Sequence, residues 1–229
     1  METVHLTELE AFAQYWLNST REQFAPSTIN RRLVSIKAWA KWAGDITCLH
    51  DYVPPRAAKG QAHPLREGAE GIERLLAVCK TDDQQALVAL MGYGGARISE
   101  ALSSRPVHVD LHDMTIRLLG KGDKERIVPL SSKCWSGIAN SYVRAMDEND
   151  RLVRYADRPA RKAITRLGAA AGLSRSISSH DLRMTFGTVA FEHTKDLRVV
   201  QELLGHNSSS TTEIYTGVTM YRLREGVEW

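Results

Sequence analysis

Residues 180–183 read His180-Asp181-Leu182-Arg183, and residues 203–206 read Leu203-Leu204-Gly205-His206, with Tyr215 nine positions further on. Upstream, Gly95-Ala96-Arg97-Ile98-Ser99-Glu100-Ala101-Leu102 places an arginine directly after a glycine-rich turn. Gly120-Lys121-Gly122-Asp123 places a lysine in a second such turn. Each piece alone has an ordinary explanation. Arg97 caps a helix, Lys121 is turn chemistry, His180 and His206 are hydrogen-bonded structural residues and Tyr215 is packing. Their order and spacing carry more weight, and that depends on the elements that hold them.

Around Lys121, Met114-Thr115-Ile116-Arg117-Leu118 alternates as a strand does, and Arg126-Ile127-Val128-Pro129-Leu130 is the return strand, so a hairpin presents Lys121 at its tip. The flanks are helical. Asp196–Leu204 turns Leu197, Val200, Leu203 and Leu204 inward and meets a stop at Gly205. Asp83–Tyr93 is apolar on most sides and reads as a buried helix, while Gly71–Lys80 carries an amphipathic stripe of Ile72, Leu75, Leu76 and Cys79. From Ser131 onward the patterns are again helical.

Nearer the N-terminus, Thr7-Glu8-Leu9-Glu10 has the form of a capping box, with Leu9, Phe12, Ala13 and Trp16 at helical spacing behind it. Ser27 or Thr28 is placed to cap a second helix with Ile29, Leu33, Ile36 and Ala40 on one stripe and a stop at Gly44. Residues 45–64 then lose periodicity and gather Pro54, Pro55, Gly60 and Pro64, the composition of a linker. The expected organisation is mainly α: a small helical module over 1–44, a linker over 45–64, a larger domain with a small antiparallel sheet over 65–217, and a tail over 218–229.

The 229 residues carry 30 basic and 27 acidic side chains, a formal charge of +3. Hydrophobic content of 43% is that of a globular chain rather than a disordered one. No run approaches the ~18 apolar residues of a membrane span, and Met1–Thr20 holds acids where a signal peptide needs bases. Cys48, Cys79 and Cys134 are odd in number and far apart, so a reduced, cytoplasmic protein is expected. The charge is concentrated. Residues 27–42 carry Arg31, Arg32, Lys37 and Lys41 with no acid, and residues 151–175 carry seven bases against Asp157. Such runs are either solvated helical faces or surfaces for a polyanion; Arg31, Arg32, Lys37 and Lys41 are the candidate DNA contacts.

Taken together and in order, the glycine–arginine turn, the lysine hairpin, the His-x-x-Arg box and the Leu-Gly-His box with its following tyrosine resemble the active-site set of the tyrosine recombinases, the family of phage integrases and chromosome-dimer resolvases. The resemblance is strong over about residues 65–217 and weaker over the first 44 residues, which are similar to a shortened core-binding domain. It implies a mostly helical catalytic domain with a small sheet. It also implies that Arg97 is the first catalytic arginine, Lys121 the hairpin lysine, His180 and Arg183 the His-x-x-Arg pair, His206 the second histidine and Tyr215 the nucleophile. Two positions depart from a common pattern, Met184 and Gly217 standing where a histidine is often found, but neither belongs to the carried set. With no room for an arm-binding domain, the overall form looks like the short integrases of some mycobacteriophages.

The implied set makes chemical sense. A protein nucleophile attacking a phosphodiester needs an activated oxygen, charge stabilisation on two non-bridging oxygens, and a proton for the departing sugar oxygen. A free tyrosine, pKa near 10, is phenolate about once in a thousand at pH 7, a deficit of about 4 kcal/mol. His180 as base, in the field of Arg97 and Arg183, would supply that activation. Arginine suits a phosphate because its planar fork donates two parallel hydrogen bonds and stays charged. His206 would donate to a non-bridging oxygen, and Lys121 would protonate the leaving 5′ oxygen. The resulting 3′-phosphotyrosine stores the bond energy, so neither ATP nor a metal is called for, and no cofactor is expected. His108 and His112 are four apart but sit in strand-like sequence rather than on the helix a metal pair needs.

The same residues fit a phage integrase, a resolvase or transposon recombinase, or a type IB topoisomerase; basic helices alone would fit a non-catalytic DNA-binding protein. The resemblance implies double-stranded attachment sites, self-association into dimers and tetramers on DNA, and room for a host DNA-bending protein or directionality factor in the bacterial host cytoplasm and nucleoid. Past Tyr215, Met220, Leu223 and Val227 form one helical stripe, with Tyr221 and Trp229 adding apolar surface. This stripe either docks on the protein's own core or, as the resemblance implies from the family's exchange of C-terminal segments between protomers, packs into a neighbour.

Overall fold

The computed structural model describes residues 6–44, 48–55, 63–120, 125–145, 147, 150–205 and 220–229. The chain divides into two compact units, Met1–Gln61 and Ala62–Trp229.

In the first unit, α1 (Leu6–Ser19) and α2 (Pro26–Trp42) pair through Ala13, Leu17, Ile29, Leu33 and Ala40. The α2 stripe is the one the sequence describes, with Ile36 partly buried. The start differs: Ala25 is the N-cap and Pro26 opens the helix, so neither Ser27 nor Thr28 caps it. Proline supplies a pre-set φ where an amide donor is not needed. On α1, Phe12 is 66% exposed while Leu17 is wholly buried, because the inward face runs through 13 and 17. The expected linker also begins later than the sequence suggests. Cys48, Leu49 and Tyr52 join this core, the Leu49 amide donates to Glu10 Oε1 at 2.8 Å, and Arg21 donates to the Val53 carbonyl and to the Tyr52 hydroxyl. Two short helices leave apolar surface between them that these residues cover.

The second unit is built on α4 (Asp82–Gly92), whose residues Ala86–Gly92 are all buried. Thr81 caps it, accepting from the Gln84 amide at 3.3 Å. Packed on or near it are α3 (Gly68–Ala77), α5 (Ile98–Ser103), α6 (Ser132–Arg144), α7 (Asp157–Ala170) and α8 (Ser179–Thr194). Helix α6 approaches closely because position 137 is glycine: a Cβ there would lie 2.4 Å from Ala89 Cβ. Three antiparallel strands, β1 (Val109–Asp110), β2 (Thr115–Leu119) and β3 (Glu125–Pro129), flank this core in the order β1-β2-β3. The hairpin of β2 and β3 is as the alternation predicts; of the strand-like stretch around His108 and His112 only Val109–Asp110 forms a strand, β1, with His108 ending a 3-10 turn before it and His112 in a turn after it.

Helix α9 (Leu197–Leu204) is capped by Asp196, which accepts from the Arg198 amide at 2.8 Å, and ends at Gly205 with φ 60°. Its inward face is Val199, Val200, Leu203 and Leu204; Leu197 is 60% exposed, against expectation, since a residue at the first turn lies beyond the edge of the packed surface. Helix α10 (Met220–Glu225) follows. Leu223 and Val227 are buried in the chain's own core, and the Trp229 ring lies 5.1 Å from that of Tyr93 and 6.5 Å from that of Phe186. Within this single chain the tail packs on its own apolar surface.

Candidate active site

Gly95 has φ +60°, and a Cβ on it would lie 2.5 Å from the Phe186 ring, so the turn between α4 and α5 admits only glycine there. That turn delivers Arg97 as the N-cap of α5 and puts Glu100 one turn further on. Glu100 has no exposed side-chain surface. It accepts from the Arg97 amide at 2.7 Å and from Arg97 Nη1 at 2.8 Å, and Arg126 grips it through Nη1 and Nη2, both at 2.8 Å. Burial alone would raise the Glu100 pKa. The Arg126 fork, the Arg97 amide and the Arg97 guanidinium outweigh that and bring it down to about 2.

Arg183 enters from α8 and is 3% exposed. Its Nη1 donates to the Gly95 carbonyl and its Nη2 to the Leu204 carbonyl, with Nη1 3.9 Å from Glu100 Oε2. Desolvation, with the repulsion of Arg126 and Arg97, lowers its pKa to about 9 against the opposing pull of Glu100. It remains a cation at neutral pH. Arg97 differs: its side chain is 45% exposed and its far edge faces solvent. The two arginines from the predicted set therefore converge on one buried carboxylate, Glu100, although they stand 86 positions apart in sequence.

His180 lies in the first turn of α8, exposed, three residues before Arg183. The turn is fixed beneath it. Asp181 Oδ2 accepts from the Ser178 amide at 2.6 Å and the Ser178 hydroxyl at 2.7 Å, while its Oδ1 accepts from Arg175 at 3.0 Å and the His63 amide at 3.2 Å. These donors and the Arg175 charge overcome burial and hold the Asp181 carboxyl below its ordinary pKa. Lys121, His206 and Tyr215 lie outside the described residues.

Sequence reasoning passed over Arg126 and Glu100. Signals existed for both. Glu100 sits one turn from Arg97 and is the lone charge in its helix, Ile98–Ser103. Arg126 pairs across the hairpin with Leu118, and Ile116 pairs with Val128; Ile116, Leu118 and Val128 are buried, so a strand of period two puts Arg126 on the inward face. A cation on that face needs a buried anion.

Among the proposed DNA contacts, Arg31 and Lys41 are exposed and Lys37 is half-buried. Arg32 is different: its guanidinium lies 3.9 Å from the centre of the Phe24 ring and 4.9 Å from that of Trp16, an intramolecular cation–π arrangement. His108 Nδ1 accepts from the Arg105 amide at 3.3 Å, whereas His112 Nδ1 pairs with Asp113 at 3.0 Å. Among the described residues no group of three or more His, Cys, Asp or Glu side chains could hold a metal, and no helix is long and apolar enough to cross a membrane.

Two arginines held on one buried carboxylate, with an exposed histidine three residues before the second, on a mostly helical domain with one three-stranded sheet, form a site suited to an anionic substrate such as a phosphodiester. Residues 68–222 match the phage integrase family, and the chain belongs to it. It is 32% identical over 234 residues to the tyrosine recombinase XerC of Haemophilus ducreyi, covering 94% of this chain and 77% of that one. Against the tyrosine recombinase XerD of Corynebacterium glutamicum it is 39% identical over 152 residues, covering 62% of this chain and 50% of that one. Among solved structures it is similar to the integrase from mycobacterium phage Brujita, with a TM-score of 0.61 and 27% identity over 93% of this chain and 75% of that chain. A lambda integrase dimer bound to a COC′ core site shares the fold, with a TM-score of 0.62 at 15% identity over 90% of this chain and 83% of that chain. The chain is a tyrosine-type site-specific DNA recombinase.

Proposed function

We propose that this recombinase integrates phage DNA into a bacterial chromosome, cutting each strand through a 3′-phosphotyrosine on Tyr215. The observation that carries the chemistry is the convergence of Arg97 and Arg183 around Glu100. Three arginines against one carboxylate leave excess positive charge, which suits a phosphorane that gains negative charge on its two non-bridging oxygens as it forms. Arg183 is held still by two carbonyls, so it is pre-oriented, while the solvent-facing edge of Arg97 is open to the phosphate. His180 takes the phenolic proton as Tyr215 attacks. His206 donates to a non-bridging oxygen, and Lys121 protonates the departing 5′ oxygen. The freed 5′ hydroxyl then attacks the phosphotyrosine of a partner strand, reversing the step and joining new ends. Bonds broken and formed are alike, so the reaction needs no external energy.

The integrase reading is supported by the likeness to the mycobacteriophage Brujita enzyme across nearly the whole chain. A second reading, resolution of chromosome dimers, is favoured by the extent of the likeness to XerC. Both share one test. DNA covalently attached to the chain is captured from producing cells under denaturing conditions and sequenced. Integration predicts junctions between two unlike molecules, a mobile element and the chromosome, whereas resolution predicts a single chromosomal site. In either case Tyr215→Phe keeps DNA binding and yields no adduct. Adducts at the wild-type level in that variant would remove Tyr215 from the mechanism.

A further inference from the structure

One largely buried side chain, Arg126, ties its own strand to the Gly95–Glu100 turn and to the last turn of α9. Arg126 springs from β3 opposite Leu118, one residue pair in from the loop end of the β2–β3 hairpin, the turn to which the sequence assigns Lys121. Its Nη1 and Nη2 fork Glu100, its Nη2 also reaches the Gly95 carbonyl at 3.2 Å, and its Nε donates to the Leu203 carbonyl at 3.0 Å. The Leu203 carbonyl belongs to the last turn of α9, two residues before Gly205 and three before His206. Gly205 itself lies against this side chain: a Cβ there would come within 2.8 Å of Arg126 Cδ.

We propose that Arg126 is a positioning residue for DNA cleavage, locking the loop end of β3, the Glu100 carboxylate and the last turn of α9 into one register so that Lys121, Arg97 and His206 meet at the same phosphate. The proposal rests on the assignment of Lys121 and His206 made above. Its physical basis is the number of independent constraints one planar group satisfies. A guanidinium has five N–H donors in fixed directions, and here they tie its own strand to two segments distant in sequence, Gly95–Glu100 and the last turn of α9. Arg126 also occupies the inner face of Glu100, which leaves Arg97 with a single side-chain bond to that carboxylate and its remaining edge open. Without Arg126, Glu100 would draw Arg97 and Arg183 toward itself and away from a bound phosphate. A lysine at this position keeps the charge but reaches one acceptor direction at a time.

The test uses the whole chain on a nicked duplex containing the captured site, made with either oxygen or sulfur at the bridging 5′ position. Wild type, Lys121→Ala, Arg126→Lys and Arg126→Gln are compared at equal concentrations of folded protein, with DNA binding measured alongside. Sulfur is a good leaving group without a proton. The Arg126 variants are expected to bind DNA within about twofold of wild type and to cleave the oxygen substrate at least about tenfold more slowly. Their sulfur-to-oxygen rate ratio should rise as it does for Lys121→Ala, because the acid is out of place. A ratio that rises for Lys121→Ala and stays at the wild-type value for both Arg126 variants overturns the proposal and leaves Arg126 as a stabilising strut.

If Lys121→Ala itself shows no rise, the general-acid assignment fails and single-turnover cleavage at saturating DNA decides for Arg126. Arg126→Gln and Arg126→Lys should then still cleave the oxygen substrate at least about tenfold more slowly at unchanged DNA affinity, and wild-type cleavage in both variants overturns the positioning role. A wild-type chain that forms no adduct on either substrate overturns the reading of the site and this proposal with it.

Discussion

Glu100 shows how one residue sets the properties of its neighbours. Its carboxyl is held near pKa 2 against an ordinary value of 4.5, so it favours folding when ionised. For a carboxylate with a depressed native pKa, that stability is complete above the unfolded value and is lost as the pH falls toward the folded one. The window therefore runs from about 4.5 down to about 2, and the total is about 3 kcal/mol. Glu100→Gln should lower stability at neutral pH by roughly that amount and flatten its dependence on acid. Urea unfolding at about pH 6 and about pH 3 should thus show the gap between wild type and variant narrowing in acid; a constant gap would mean that Arg126 and Arg97 do not hold the carboxylate ionised.

The elements of the second unit are fixed by close approaches as much as by apolar area. Gly95 combines a left-handed φ with contact on the Phe186 ring, so Gly95→Ala should cost about 2–4 kcal/mol from backbone strain and overpacking together. A loss of less than about 1 kcal/mol by denaturant titration would show that the α4–α5 turn can relax. The C-terminal segment supplies a second element-scale expectation. Trp229 is partly buried beside Tyr93 and Phe186, and truncating a packed tryptophan removes a large apolar area. Trp229→Ala should therefore destabilise the DNA-free chain by about 2 kcal/mol, read as a lower melting temperature independent of protein concentration. A melting temperature that falls only at high concentration, where copies meet, would instead place the ring in a neighbour.

At the scale of the whole molecule, the first unit offers Arg31, Lys37 and Lys41 along α2, with Arg32 turned onto Trp16 and Phe24. If these three side chains neutralise phosphates, replacing them all with alanine should flatten the log–log salt dependence of DNA binding by about 0.9 for each phosphate no longer neutralised. An unchanged slope would make this a solvated face. Arg32→Ala belongs to a different experiment, since its loss would loosen the module itself.

Much of this architecture was legible in the sequence because it depends on local rules. Helical spacing located α2, α4 and α9, strand alternation located the β2–β3 hairpin, and the order of Arg97, Lys121, His180, Arg183, His206 and Tyr215 pointed to the chemistry. Other features are properties of space. The burial of Leu49 and Tyr52 beneath two helices, the docking of Leu223, Val227 and Trp229 in cis, and the outward turn of Phe12 and Leu197 follow from which apolar surfaces are within reach once the chain is folded. Arg126 is the clearest case. Its residue type reads as surface while strand periodicity turns it inward opposite Leu118, and that it meets there a carboxylate 26 residues away is set only by packing. Periodicity fixes which way a residue faces relative to its own element. What it faces, and therefore whether a buried charge finds its counter-charge, is decided only when distant segments pack.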